Sequence, residues 1–179
     1  LADFVNHPNS AASGLSEAHV LALRAYTSAC FKSLNRPLRD QSRTAPHPFP
    51  ITVFLIADAL KRLRTKAGEQ AGSRANVALW RGMRDMRATA EFLNEGGSEV
   101  APMSTTTELA VALRYALSAH SLLFKIVTKN FMERGVDISF LSCFPAEKEH
   151  LFPPLTYLCP TGLTQSVTLA DGKEVEVVE

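Results

Sequence analysis

Apolar and polar residues follow a helical period in the N-terminal part of the chain and a strand period further on. Between Val20 and Leu34 the apolar residues recur every three or four positions, which predicts an amphipathic helix. Ser16 is a suitable N-cap for this helix, and Pro37 marks its predicted end. One long helix is therefore predicted at the start of the folded domain.

The segments on either side of this helix carry different signals. Residues 1–14 are polar and contain Asn, Ser, Gly and Pro, so we predict a flexible lead-in there. Pro50 suits the first turn of a second helix, which is predicted to stop near Gly68. The helical part of the domain is thus expected to cover about residues 15–75.

From about residue 76 the apolar runs become short and are bounded by turn residues, which is typical of strands. The predicted strands are 77–80, 100–104, 122–127, 136–141, 147–152, 167–169 and 174–178. Short helices are predicted at 88–93 and 109–119, the second behind the capping-box pair Thr105 and Glu108. Asp171-Gly172 predicts a type I′ hairpin. The pattern indicates a single α+β domain over 15–179, with a mostly antiparallel β-rich part over about 76–179.

Composition narrows the class of protein. The chain has 179 residues, of which 46% are hydrophobic and 21% charged, as expected for one globular domain. A net charge of +1 does not indicate a nucleic-acid-binding protein, and no apolar run approaches the roughly 20 residues of a membrane helix. We therefore expect neither nucleic acid nor a membrane as a partner. The chain begins with Leu1 rather than Met, which suggests a domain cut from a longer protein or a processed product.

The cysteines and histidines point away from metal binding. Cys30, Cys143 and Cys159 are an odd number and have no metal-ligand spacing. We interpret them as reduced thiols of an intracellular protein, which slightly favours a cytoplasmic location over a secreted one. The five histidines form no metal-binding pattern, and no metal is predicted.

Glu147 and Glu149 are the first candidate for chemistry. On an extended strand, residues two apart point to the same face, so both carboxylates would share one side of the predicted strand 147–152. Like charges placed side by side repel, and such a pair does not stabilise a fold. Taken alone, the pair is better explained as a solvated strand edge.

Two further strand ends carry polar side chains. Arg81 offers a rigid fork of donors suited to phosphate, and Gly82 permits a close approach to the backbone; an ordinary surface ion pair is the alternative for Arg81. Ser104 and the two threonines after it provide hydroxyls that serve either a ligand or only the cap of the following helix.

Several short motifs, taken in their order along the chain, resemble those of a known protein family. In chain order the motifs are Leu15-Ser16-Glu17, Tyr26-Thr27, Leu34-Asn35-Arg36-Pro37-Leu38-Arg39, Leu79-Trp80-Arg81-Gly82-Met83, Pro102-Met103-Ser104-Thr105-Thr106, Val111-Ala112 with Tyr115, Leu123-Phe124-Lys125-Ile126, Gly135-Val136-Asp137-Ile138-Ser139 and Glu147-Lys148-Glu149-His150-Leu151-Phe152-Pro153. The set resembles the arginine–serine–glutamate class of mono-ADP-ribosyltransferases over roughly residues 15–160. Thr106 stands where the family often has serine. The resemblance implies the ADP-ribosyltransferase fold, in which a helical part packs on a two-sheet β core.

The resemblance also implies roles in binding and cleaving NAD⁺, which would be a co-substrate. Glu149 would stabilise the positive charge that develops on the ribose and hold its 2′-hydroxyl, and Ser104 would orient Glu149. Arg81 would bind the diphosphate, and Gly82 would contact the nicotinamide amide. Tyr115 would stack on the nicotinamide. No metal is required, because side chains supply the charges.

The remaining residues concern the acceptor. By resemblance, Glu147 implies arginine as the acceptor, because a carboxylate binds a guanidinium bidentately and helps to deprotonate it. Phe144 would contact the incoming protein. The expected partners are NAD⁺ and a protein with an exposed arginine. Two alternatives stay open: an NAD⁺ glycohydrolase that uses water, and a non-catalytic NAD⁺-binding or interaction module.

Overall fold

The computed structural model describes residues 1–70, 77–128 and 133–179. Seven α-helices lie in these residues: α1 Ala2–Val5, α2 Pro8–Ala12, α3 Glu17–Tyr26, α4 Phe31–Arg39, α5 Pro50–Gln70, α6 Ala90–Glu95 and α7 Leu109–Ala116. The strands are β1 Val77–Arg84, β2 Gly97–Glu99, β3 Met103–Thr106, β4 Ser121–Thr128, β5 Val136–Asp137, β6 Glu149–Phe152, β7 Thr156–Leu158, β8 Thr164–Thr168 and β9 Glu174–Val178.

The strands form two sheets. Seven strands make the larger sheet in the order β5-β6-β3-β1-β4-β9-β8, and β2 pairs with β7 separately. Every pairing is antiparallel except that of β4 with β9. This architecture confirms the predicted α+β class with a mostly antiparallel two-sheet core.

The helical part packs on one end of the larger sheet. Its core joins α3 and α5 to the strands at that end through buried apolar side chains, among them Leu23, Ile56, Leu60, Ile138 and Leu151. A smaller cluster contains Leu79, Met103 and Phe152, which come from the adjacent strands β1, β3 and β6. Burial of these side chains, rather than helix propensity, fixes the short helices against the sheet.

The N-terminal residues differ from the predicted flexible lead-in, because 2–5 and 8–12 are helical. Pro8 occupies the first turn of α2, and His7 caps that helix by accepting a bond from the Asn9 amide. Phe4 packs against the helical core and lies under the guanidinium of Arg24, 3.8 Å from the ring centroid. These contacts explain why this polar segment forms helices.

The predicted first helix is in fact two helices. Ser16 caps α3 as predicted, in a reciprocal capping box with His19. The helix then ends at Tyr26, because the hydroxyls of Thr27 and Ser28 bond to carbonyls in the preceding turn. Pro37, which was predicted to end the helix, lies inside α4.

Two turn predictions are also corrected. Thr105 and Glu108 do not form a capping box: Glu108 is the cap residue of α7, without a side-chain bond, while the Thr105 hydroxyl donates to the carbonyl of His150. The predicted hairpin between β8 and β9 is present. Its turn is not type I′, because Asp171 has a negative φ and only Gly172 in this fully described turn has a positive one, +82°.

Candidate active site

Three neighbouring strands bring Arg81, Ser104 and Glu149 together. The order β6-β3-β1 places β3 between the other two, and antiparallel pairing sets Thr106 opposite Glu149. Ser104 and Glu149 are diagonal neighbours on the same face, because Ser104 lies two residues from Thr106. On the other side of β3, Nη1 of Arg81 donates to the backbone carbonyl of Ser104 at 2.8 Å. Residues far apart in sequence thus line the same cavity.

Glu149 is a buried carboxyl held by two hydroxyls. Its relative exposure is 9%, the Ser104 hydroxyl donates to Oε1 at 2.7 Å, and the Ser142 hydroxyl donates to Oε2 at 3.4 Å. Burial raises the pKa of Glu149; the two hydroxyl bonds oppose the rise, and the nearby charge of Glu147 adds to it. The carboxylate is therefore fixed in direction and poorly hydrated, which strengthens its field in the cavity.

Glu147 reaches the same cavity by a route that the sequence did not predict. The expectation that both acids sit on one extended strand is wrong: Glu147 ends a 3₁₀ turn, Pro145–Glu147, and β6 begins only at Glu149. Between them Lys148 adopts a left-handed backbone, φ 47° and ψ 54°. This reversal, and not the two-residue period of a strand, brings both carboxyl groups to the cavity wall.

Tyr115 on α7 contacts Glu147. The Tyr115 hydroxyl donates to both carboxylate oxygens, at 3.0 Å to Oε1 and 3.2 Å to Oε2. Loss of hydration raises the pKa of Tyr115, and its bond to Glu147 and the charge of that group raise it further. The phenol therefore stays protonated and acts as a donor at neutral pH.

A carboxylate outside the predicted set joins two arginines. Glu99 at the end of β2 accepts two bonds from Arg39, Nε at 3.0 Å and Nη2 at 2.8 Å, and lies 3.9 Å from Nη2 of Arg81. The amide of Ala101 donates to the same carboxylate. Burial lowers the pKa of Arg81, while Tyr26 and Glu99 raise it, and the side chain keeps 18% of its exposure. A guanidinium carries five N–H donors, and these contacts use only some of them in Arg39 and Arg81, so other N–H groups remain for a ligand.

Gly82 is required by the packing of α7. A Cβ at this position would lie 2.0 Å from the carbonyl oxygen of Ala112 and 2.7 Å from the amide nitrogen of Ala116. The helix therefore rests directly on the β1 backbone. Helix packing is therefore a sufficient reason for glycine at position 82, whether or not a ligand contacts it. The same packing places Tyr115 of α7 at the cavity.

All seven predicted site residues line a single cavity of about 420 Å³. They are Arg81, Gly82, Ser104, Tyr115, Phe144, Glu147 and Glu149. Phe144 is exposed at the rim, and the two acids lie on one wall. Among the residues that the structure describes, no group of three or more His, Cys, Asp or Glu side chains is arranged to hold a metal ion.

Sequence reasoning missed the residues that α3 and α4 contribute to the same cavity. Tyr26 and Asn35 are buried and share the carbonyl of Pro102, to which the Tyr26 hydroxyl donates at 2.8 Å and the Asn35 amide at 3.2 Å. Burial raises the pKa of Tyr26 to about 12. The Oδ1 atom of Asn35 has no partner among the described residues. A buried acceptor that lines a cavity is a natural partner for a ligand hydroxyl or amine. Asn35 could have been found from the sequence, because it is a polar residue in an amphipathic helix, four positions before Arg39.

All three cysteines are unpaired and exposed in the structure. Within the described part of the chain, no helix has both the length and the apolar character needed to cross a membrane.

Comparison with known proteins identifies the family. A sequence model described as NAD:arginine ADP-ribosyltransferase matches residues 5–171. The chain belongs to this family. A comparison with curated protein sequences finds no match.

Solved structures of ADP-ribosyltransferases share the fold at low sequence identity. HopU1 of Pseudomonas syringae pv. tomato DC3000 is 18% identical, with a TM-score of 0.68 over 99% of this chain and 84% of that one. Exoenzyme S of Pseudomonas aeruginosa, solved with human 14-3-3 protein beta and bound to carba-NAD, is 21% identical, with a TM-score of 0.61 over 99% and 86%. The eukaryotic mono-ADP-ribosyltransferase ART2.2, in a complex with NAD, is 17% identical, with a TM-score of 0.58 over 93% and 66%.

The family assignment confirms the sequence-based resemblance and carries NAD⁺-dependent ADP-ribosyl transfer with it. In this ADP-ribosyltransferase the arginine, serine and glutamate of the three sheet strands surround one cavity.

Proposed function

We propose that this ADP-ribosyltransferase transfers ADP-ribose from NAD⁺ to an arginine side chain of a protein acceptor and releases nicotinamide. The observation that supports it best is the pair of carboxyl groups on one cavity wall. Glu149 is buried and held by Ser104, whereas Glu147 is half-buried and faces outward with Tyr115. One acid is suited to the sugar and the other to the acceptor.

The proposed reaction is a substitution at the ribose carbon that carries nicotinamide. The carbon–nitrogen bond breaks, and nicotinamide leaves as a neutral molecule with the bonding electrons. Positive charge develops on the ribose carbon, as in glycoside hydrolysis. A guanidine nitrogen then forms a new bond to that carbon and gives up one proton.

Glu149 is assigned to the developing charge. A carboxylate that is already oriented needs no reorganisation when the ribose becomes cationic, and this is the main source of electrostatic stabilisation in enzymes. Its bonds from Ser104 and Ser142 supply that orientation. The same carboxylate is suited to accept a bond from the ribose 2′-hydroxyl.

Arg81 is assigned to the diphosphate. Its Nη1 donates to the Ser104 carbonyl and its Nη2 lies 3.9 Å from Glu99, and these contacts orient the guanidinium. N–H groups that these contacts do not use are available to phosphate oxygens. Arg39, which lines the same cavity and shares Glu99 with Arg81, adds a second positive charge. The partly dehydrated surroundings of Arg81 strengthen its attraction for an anion.

Glu147 is assigned to the acceptor, as a base and as a bidentate partner for the guanidinium. Phe144 at the rim provides an exposed apolar surface for the incoming protein. Tyr115 was expected to stack on the nicotinamide, and its position on the cavity wall is compatible with that role.

Incubation with labelled NAD⁺ and a small guanidine, such as methylguanidine, tests the proposal. The wild-type chain is expected to label the guanidine, and Glu147→Gln is expected to lose that transfer while it still releases free ADP-ribose. Glu149→Gln is expected to lose both activities. If the wild-type chain forms free ADP-ribose and no labelled guanidine, it is a glycohydrolase instead. If it does not turn over NAD⁺ at all, it is a binding module.

A further inference from the structure

The contact between Tyr115 and Glu147 links two elements that are fixed independently. The phenol bridges both carboxylate oxygens, at 3.0 Å and 3.2 Å, although 49% of Tyr115 is exposed. Because about half of Tyr115 is exposed, burial contributes little to keeping its side chain in this position. The geometry of the contact therefore depends on how firmly the backbone holds Tyr115 and Glu147.

The helix that carries Tyr115 is fixed from β1. Gly82 has no side chain, so the backbone of α7 can lie directly on β1. Two residues further along β1, Arg84 donates to the carbonyls at the C-terminal end of α7, from Nε to Tyr115 at 3.1 Å and from Nη2 to Arg114 at 3.0 Å. These bonds satisfy carbonyls that a helix end leaves open. Tyr115 therefore has a defined position relative to the sheet.

The turn that carries Glu147 is fixed from β3 and α7. The Thr106 hydroxyl donates to the backbone carbonyl of Glu147 at 2.6 Å. Nζ of Lys148 lies 2.6 Å from Oε1 of Glu108, an exposed ion pair that adds a weaker contact beside the left-handed residue. The backbone of Glu147 is thus anchored, while the only bond from another side chain to its carboxylate in the described structure comes from Tyr115.

We infer that Tyr115 is a positioning residue for the acceptor, which holds the Glu147 carboxylate in the direction from which a guanidinium is received. This inference rests on the proposed function. A bidentate guanidinium needs two carboxylate oxygens at fixed positions. Without the phenol, the carboxylate is free to rotate about its side-chain bonds and to move away from the negative charge of Glu149. The hydroxyl of Tyr115 acts on the acceptor step, separately from any contact of its ring with nicotinamide.

Tyr115→Phe is the matching test, because it removes one oxygen atom and keeps the ring. The KM for methylguanidine is expected to rise about three- to tenfold, the size expected for loss of a partly exposed hydrogen bond to a charged group. The ratio of transfer to glycohydrolysis should fall by a similar factor, and the KM for NAD⁺ should change much less. A merely structural role would not separate the two KM values.

Tyr157→Phe is the control. Tyr157 is also an exposed tyrosine, and its hydroxyl donates to the carbonyl of Glu95, but it does not line the cavity. Its removal should leave the ratio of transfer to glycohydrolysis unchanged. Thermal unfolding of both variants checks that neither has lost the fold.

Each outcome distinguishes the inference from the proposed function. If the wild-type chain transfers to methylguanidine but Tyr115→Phe keeps or raises the ratio, the inference is wrong and the proposed function stands. If transfer and glycohydrolysis fall together with a raised KM for NAD⁺, Tyr115 acts on NAD⁺ and the inference is again wrong. If the wild-type chain does not transfer at all, the proposed function fails and the inference fails with it.

Discussion

The hydroxyl of Ser104 donates a 2.7 Å hydrogen bond to Oε1 of Glu149 across two neighbouring strands. The serine comes from β3 and the glutamate from β6, which are paired through Thr106 and Glu149. A short bond to a buried carboxylate fixes its direction before any ligand arrives. The polar side of this sheet is thus preorganised by its own strand register.

Ser104→Ala should lower kcat/KM for NAD⁺ cleavage by about tenfold or more, because Glu149 loses its shorter hydrogen bond while the Ser142 bond remains. Steady-state kinetics of nicotinamide release measure the effect. Ser166→Ala, an exposed serine on β8, is the control and should behave as wild type. Equal rates for the two variants would contradict the orienting role of Ser104.

The pH dependence of kcat/KM should show an acid limb above the usual range of a glutamate. Burial raises the pKa of Glu149, and the reaction as proposed needs its carboxylate, so activity falls as pH drops through that raised pKa. Ser104→Ala should move the limb to still higher pH, since a bond that lowers the pKa of Glu149 is removed. A limb at the pKa of an exposed glutamate would contradict the burial argument.

Glu149→Gln should raise the melting temperature near neutral pH. A group whose pKa is raised on folding favours the folded state at low pH, and this contribution is lost as pH rises through the folded-state pKa. The wild-type chain therefore carries an unfavourable buried charge at neutral pH that glutamine lacks. The difference in melting temperature should shrink on acidification, which a series of thermal melts at different pH values would measure. A difference that grows at low pH would exclude this explanation.

Glu99→Gln should raise the KM for NAD⁺ about three- to tenfold with a smaller change in kcat. The carboxylate, with 17% of its side chain exposed, holds Arg39 through two bonds and lies between two guanidinium groups that repel each other. Glutamine keeps the shape and loses the charge. Glu91→Gln on the exposed side of α6 is the control. Tighter binding of NAD⁺ to Glu99→Gln would show that the carboxylate competes with the diphosphate instead.

Gly82→Ala should destabilise the fold by about 1–3 kcal/mol, the usual range for forcing an extra methyl group into a packed contact. The new Cβ would lie 2.0 Å from the Ala112 carbonyl oxygen, so α7 must move. Urea unfolding measures the loss. Gly97→Ala is the control, because its Cβ would meet only the ring of Phe92, at 3.3 Å, and a side chain can shift. A wild-type midpoint for Gly82→Ala would contradict the packing argument.

The order of the strand-end motifs was enough to predict which side chains meet. Arg81 and Ser104 lie near the ends of short apolar runs, Glu149 precedes one, and the larger sheet brings those runs side by side. The acids could also be recognised as a pair. Their geometry could not be predicted, since a lysine has no intrinsic preference for the left-handed backbone that Lys148 adopts.

The residues that support the site were less accessible to sequence reasoning. Glu99 ends a short strand and Ser142 lies in a loop, and neither stands in a distinctive sequence pattern. The partner of Glu99 is 60 residues away, and that of Ser142 is seven residues away across a turn.

α3 ends at Tyr26, where the hydroxyl of the C-cap residue Thr27 donates to the carbonyl of Arg24. Before α7, the hydroxyl of Thr106 accepts from the amide of Glu108 and donates to the distant carbonyl of Glu147. Tertiary context decides such choices, so local sequence signals misplace them.

Lys148, with its left-handed backbone, separates two parts of the cavity wall that tolerate sequence changes to different degrees. Glu149 is tied into a ladder of strands, where a shift of one position would turn its side chain to the other face. Glu147 sits in a turn outside that ladder, where exchanges and insertions leave the strand register intact. On the proposed roles, sugar chemistry and target choice therefore depend on different parts of the backbone, so a change in the turn would alter the acceptor without moving the carboxylate that serves the sugar.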